Sequence, residues 1–154
     1  MGASTDTDRL YLDDLHVGQR FSSATHTLDE TEVKEFATKF DPQPFHTDPR
    51  AAERMFFKGL VASGWHTAAL TMRLNVESVP LAGGIVGAGG EVSWPAPIRP
   101  GDTLHVESEV VEIARSRSRP DRGTIVLVSR TINQRGEVVQ ILKAKLVVPR
   151  RIAA

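Results

Sequence analysis

The stretch Phe40-Asp41-Pro42-Gln43-Pro44-Phe45-His46-Thr47-Asp48-Pro49 sets a carboxylate and an imidazole five residues apart on a proline-stiffened loop. Proline fixes its own φ and pushes the residue before it out of the α region, so Asp41 and Gln43 are expected to be extended. A loop so restricted positions groups rather than merely connecting elements. A carboxylate and an imidazole that grip one water form a general acid/base pair, because histidine titrates close enough to neutrality to give or take the proton. The pair requires no metal. The same residues also have a plainer role, since Asp48-Pro49 is a good helix N-cap followed by proline at the first helical position.

Upstream of this stretch, Asp29 with Glu32 three residues on forms a capping-box variant. Val33, Phe36, Ala37 and Phe40 follow at the i, i+3, i+4, i+7 spacing of one buried helical face. Downstream, a short helical piece from Pro49 to about Met55 leads to a loop at Gly59. Ser63 then caps a second long helix, Gly64 to about Glu77. Trp65, Ala68, Ala69, Leu70, Met72, Leu74 and Val76 fall on several of its faces, so it is expected to be nearly surrounded by protein.

A central helix implies a sheet around it. A strand over Arg20 to Thr27 precedes the helices, and four follow: Ile85 to Trp94, Thr103 to Ile113, Thr124 to Asn133 and Glu137 to Val148. The turns between them are rich in Pro, Gly, Asn and Asp. In the last strand Leu142, Ala144, Leu146 and Val148 alternate with Lys143 and Lys145, giving one face to the helix. Ile125-Val126-Leu127-Val128 does not alternate and predicts cover on both faces. Helix first, then consecutive antiparallel strands, is an α+β order. Residues 1 to about 10 are polar and expected to be a flexible N-terminus, leaving 11–150 as one domain.

The chain has 154 residues, 40% of them apolar, with 19 basic and 19 acidic side chains. That is enough to enclose a core, and the balanced charge gives no basis for binding nucleic acid or an anionic membrane. With no cysteine, disulfides, thiol nucleophiles and thiolate metal sites are excluded. No histidine pair has the i, i+4 metal-ligand spacing, so no metal is expected; no resident cofactor is expected either. No apolar run is long enough to span a membrane and no basic-apolar leader opens the chain, so the expected location is cytoplasmic.

The run from Asp41 to Leu74, with Asp-x-x-Pro-x-His-x-Asp followed by Ala, Phe, Gly and the small-residue-Gly pair Ser63-Gly64, resembles the MaoC-like acyl dehydratases, the family of (R)-specific enoyl-CoA hydratases. A second motif, Trp94-Pro95-Ala96-Pro97-Ile98-Arg99-Pro100-Gly101-Asp102-Thr103-Leu104, resembles the family's Pro-Val-x-Pro-Gly-Asp-Thr-Leu. Asn133-Gln134-x-Gly136-x-Val138-Val139 extends the likeness to roughly residues 15 to 148. Gln43 stands where the family has Asn, and Ser63 where many members have His.

The resemblance implies a single hot-dog domain, an antiparallel sheet wrapped around a long central helix. It also implies reversible hydration of a trans-2-enoyl thioester, with CoA or acyl carrier protein as part of the substrate. Asp41 and His46 would hold the water, and the Gly64 amide at a helix N-terminus would stabilise the enolate oxygen. Phe45, Ser63 and Trp65 would contact the substrate. A family hydroxyl position falls near Met72, beside Thr71, and does not match, so neither residue inherits a role.

Two other readings stand beside this one. A hot-dog thioesterase usually relies on a carboxylate on the central helix, and none occurs from Gly64 to Val76. A non-catalytic acyl-binding or partner subunit would have no need of both Asp41 and His46. His66 reads as a packed or surface residue. Arg115, Arg117, Arg119 and Arg122 read as a solvated hairpin tip, with a contact to CoA phosphates as the alternative. Sheet edges left open in a lone domain predict a homodimer.

Overall fold

The structure is a computed structural model, and residues 8–151 are described. A 3-10 turn at Leu12–Asp14 precedes two short strands, β1 (Arg20–Ser22) and β2 (His26–Thr27). Three helices follow: α1 (Glu30–Phe40), α2 (Pro44–Thr47) and α3 (Pro49–Ala52). The long α4 (Gly64–Ser78) comes next, then β3 (Val86–Ser93), β4 (Thr103–Arg115), β5 (Arg122–Ile132) and β6 (Val138–Pro149). All strand pairs are antiparallel, in the order β1-β4-β5-β6-β3 with β2 also on β4. The sheet packs on α4 through β4 and β6, giving the expected antiparallel sheet around a central helix.

The expected strand over 20–27 is in two pieces. Between them Ser23 exchanges two hydrogen bonds with Val106, backbone N–H to carbonyl at 2.9 Å and hydroxyl from the Val106 N–H at 2.7 Å. Residues 1–7 of the expected flexible N-terminus lie outside the described residues. Leu10, placed in that segment, is tied down: its N–H donates to Pro80 and its carbonyl accepts from Ala82.

Asp29 caps α1 by accepting from the Glu32 N–H at 2.8 Å, and Val33 and Ala37 are fully buried on the predicted face. Phe40 does not follow them; it is exposed and leans on Phe36. The helix ends as proline requires, with Asp41 as its C-cap.

The interior differs most from expectation along α4. Leu70 and Leu74 face the core, but Thr67, Thr71 and Asn75 are equally buried, while Trp65, Met72 and Val76 are exposed. The helix is therefore not surrounded. Thr67 donates to the Ser63 carbonyl at 3.3 Å, while Thr71 and Asn75 meet polar partners on the sheet. Asn75 donates to Ser129 at 3.0 Å and accepts from Ser108 at 3.0 Å, and Thr71 meets Thr131 at 2.6 Å. These groups lie along a core that divides into two apolar clusters. One contains Leu28, Val33, Leu70, Leu104 and Val139, the other Leu12, Val79, Val110, Ile125 and Leu146.

Ile125 and Leu127 are buried, whereas Val126 and Val128 are half-buried and face Glu112 and Lys145, Glu109 and Lys143 across the ladder. Long charged stems cover apolar neighbours, so two-sided burial is not needed there.

Candidate active site

The proline pattern makes one turn of helix rather than the expected loop. Pro44 opens α2, and His46 comes to lie on it, buried, with its ring against Phe45. Two hydrogen bonds stitch α2 to the segment before α4: the Val61 N–H donates to the Phe45 carbonyl at 3.1 Å, and Nδ1 of His46 donates to the Val61 carbonyl at 2.7 Å. A carbonyl only accepts, so Nδ1 carries a proton and Nε2 is the position where a second proton comes and goes.

Nε2 of His46 stands 3.2 Å from Oδ2 of Asp41. That oxygen also accepts from the Ser63 hydroxyl at 2.7 Å, and Oδ1 accepts from the Gln43 amide at 2.6 Å. A carboxylate has about four lone-pair sites, so with Nε2 of His46 protonated three donors leave one on Oδ1 to take a water. Burial acts to raise the Asp41 pKa. The hydrogen bonds from Gln43 and Ser63, with His46 beside them, outweigh it and hold the carboxyl below its ordinary value. Gln43, the amide that stands where the family has Asn, is thus bonded to the carboxylate.

Asp41, His46, Gly64, Phe45 and Trp65 all line one cleft of about 580 Å³, with Phe56, Phe57, Thr67, Trp94, Pro97, Ile98 and Val139. The Gly64 N–H opens α4 and has no acceptor among the described residues. Ser63 departs from its expected role as a substrate contact. It is fully buried behind Asp41, with its hydroxyl donating to the carboxylate and accepting the capping bond from Trp65 N–H at 3.2 Å.

Sequence reasoning missed Trp94 and Val139 as lining residues. Val139 is reached through a register shift in β6, where Thr131 pairs Gln140 but Ile132 pairs Val138. The extra residue lets Val139 and Gln140 both turn inward, which strict alternation forbids. The second motif has a structural cause too. Buried Asp102 accepts from Arg99 N–H at 2.9 Å and from the Gln134 amide at 2.9 Å, holding the turn whose Ile98 carbonyl accepts from Ala62 N–H at 3.0 Å.

His66 is half-buried, stacks on Phe36 at 4.5 Å and lies outside the cleft lining; burial lowers its pKa. The arginine-rich tip lies at the Pro149 end of β6, and the cleft at the Val139 end. At roughly 3.3 Å per residue the two ends are about 30 Å apart, so the tip does not reach the cleft of its own chain. Among the described residues no group of three or more His, Asp or Glu comes together to hold a metal ion, and no helix is long and apolar enough to cross a membrane.

The model of the MaoC-like domain matches residues 14–131, most of the chain and all of the acid/base site. The chain belongs to the MaoC-like domain family. Among solved structures, a MaoC-like dehydratase from Rhodospirillum rubrum is 59% identical, with TM-score 0.91 over 94% of this chain and 99% of that one. The (R)-hydratase PhaJ1 from Pseudomonas aeruginosa is 26% identical, with TM-score 0.76 over 95% and 93%. An uncharacterized protein of Bacillus subtilis, YdeM, is 30% identical over 80% of this chain and 88% of its own length. For a MaoC-like domain of hot-dog fold, the helix entering at Gly64 and the Asp41–His46 pair stand together at one wall of the cleft.

Proposed function

We propose that this protein is a hydro-lyase that reversibly hydrates trans-2-enoyl thioesters, with CoA as the expected carrier, to (R)-3-hydroxyacyl thioesters. One observation carries the reading: an ionised carboxylate with a single open lone pair, in contact with a backbone-anchored imidazole, beside an unpaired helix N-terminal amide in an apolar cleft. The likeness to an (R)-hydratase supports the stereochemistry.

In this mechanism Asp41 accepts a proton from the water as its oxygen bonds to the β-carbon, and Nε2 of His46 gives a proton to the α-carbon. Transfer of the Asp41 proton to Nε2 restores the pair, so water is added with atoms and charge in balance. The thioester oxygen, negative as the enolate develops, accepts from the Gly64 N–H, and the α4 dipole adds to that stabilisation.

Among the described residues, Asp41 and His46 are the only titratable side chains lining the cleft. A second carboxylate on the acyl group would meet no Lys or Arg among the described lining residues and would be repelled by Asp41. The favoured acyl groups are therefore uncharged and apolar.

The active unit is proposed to be a homodimer. Among the described residues strand β3 pairs only with β6, leaving its other edge open, and Trp94 just after it packs edge-on against Trp65 of α4. The exposed Trp65, Met72 and Val76 continue from that point along α4. An open edge beside an apolar stripe suits a second copy of the chain.

A panel of trans-2-enoyl-CoA substrates of rising acyl length tests the activity, followed by loss of enoyl absorbance and chiral analysis of the product. Hydration to the (R)-alcohol is expected. Release of free thiol without hydration would point instead to a thioesterase, and activity seen only after adding a different chain would point to a partner subunit.

A further inference from the structure

Gln140 is fully buried, yet it carries a primary amide. Its Oε1 accepts from the indole N–H of Trp94 at 2.9 Å, and its Nε2 donates to Oγ1 of Thr71 at 3.0 Å. An indole can only donate, so the amide can lie only one way round. Thr71 is braced in turn by Thr131 at 2.6 Å, and both hydroxyls are fully buried. A buried amide is a poor space-filler, because each of its polar atoms must be matched. Here the matching holds the ring of Trp94, which is otherwise partly exposed at the cleft wall.

The ring lies against the start of α4. A Cβ on Gly64 would fall 2.6 Å from Cε2 and 2.8 Å from Cζ2 of Trp94, so the indole rests on the Gly64 Cα itself. Trp65 meets it edge-on, with centroids 5.3 Å apart. The hydration chemistry above uses neither Trp94 nor Gln140.

We propose that Trp94, clamped by the buried Gln140–Thr71–Thr131 chain, is a positioning residue for the oxyanion site. This rests on the hydration reading. The ring covers the Gly64 end of α4 and keeps water from competing with the thioester oxygen for that amide. An N–H in a dry site stabilises developing charge far more than one shared with solvent. Without its acceptor the indole swings away from Gly64 and water enters. The interaction strengthens as the enolate forms, so its loss lowers kcat and leaves KM nearly unchanged.

Two variants break the clamp: Gln140→Leu, which keeps volume at its site, and Trp94→Phe, which keeps an aromatic ring. Each is expected to lower kcat by about tenfold, part of the full loss of an oxyanion donor, with KM changed less than about threefold. The double variant should be no worse than the poorer single, since both remove the same bond. The chain has two tryptophans. In a Trp65→Phe background, Gln140→Leu should therefore shift the emission of Trp94 to the red, a readout independent of turnover. A shift in emission with unchanged kcat, a rise in KM alone, fully additive singles or no emission shift would each overturn the positioning role. A parent protein that hydrates no enoyl-CoA would overturn the hydration reading, and this role with it.

Discussion

The Val61 carbonyl accepts from Nδ1 of His46 at 2.7 Å, and this contact orients the other ring nitrogen, Nε2, to within 3.2 Å of Asp41. The carbonyl belongs to the chain just ahead of α4, so the helix that offers the Gly64 amide also fixes the acid/base pair. The two halves of the site are joined by the Val61–Phe45 backbone bond together with the His46–Val61 and Ser63–Asp41 side-chain bonds.

The first prediction concerns pH. Asp41 is held below its ordinary pKa by Gln43, Ser63 and His46 against the effect of burial. The acid limb of kcat/KM assigned to it should therefore lie below the ordinary carboxylate range. Ser63→Ala and Gln43→Leu each remove a hydrogen bond to the charged form and should move that limb upward. The sign for stability follows: a depressed carboxyl contributes above its unfolded pKa, and the contribution is lost as pH falls through the folded value. A pH–rate profile of Ser63→Ala that superimposes on the parent's would count against this.

At Gly64, any added Cβ meets the Trp94 ring. Gly64→Ala should cut turnover by about tenfold or more, and the double variant with Trp94→Ala should lose less than the product of the two single losses, because the clash goes with the ring. Gly64→Pro, although proline suits a first helical position, carries the same clash and does not isolate the amide. Turnover of the folded single and double variants decides this; a double variant at the product of the two single losses would show that the clash is not the cause.

How much of this was legible in the sequence can be read from particular residues. Asp29, Ser63 and the prolines of the 42–49 segment mark helix ends, because capping is local chemistry, and the helices begin and end there. The Asp41–His46 contact was legible because five residues spanning a helix end and one helical turn leave the two side chains little freedom. The polar face of α4 was not, because a Thr or Asn on a helix reveals nothing of the Ser108, Ser129 or Gln140 opposite it, dozens of residues away. The inward turn of Val139 was hidden by the register shift in β6. Trp94 read as part of a turn motif, since its partner Gln140 is brought to it only by strand pairing.

Asp102 should prove structural. Asp102→Ala leaves the Arg99 N–H and the Gln134 amide without their acceptor. The expected loss is about 1–3 kcal/mol of unfolding free energy. Urea denaturation would measure it, and a change within about 0.5 kcal/mol, the range of ordinary surface substitutions, would contradict the role.

The dimer is tested by mass. Light scattering at micromolar concentration should give twice the 16.9 kDa chain mass or a multiple of it. Met72→Lys should shift the population toward monomer, because it places a charge in the exposed apolar stripe. An active species at the chain mass would refute the proposal.

The acid/base pair is tested most directly by assaying the parent, Asp41→Asn and His46→Gln side by side on one trans-2-enoyl-CoA that the parent hydrates. Each substitution should lower turnover by a factor of about 10² to 10⁴, the usual contribution of a positioned acid or base, with the parent's product being the (R)-3-hydroxyacyl thioester. Either variant, folded and turning over near the parental rate, would contradict the assignment of Asp41 and His46.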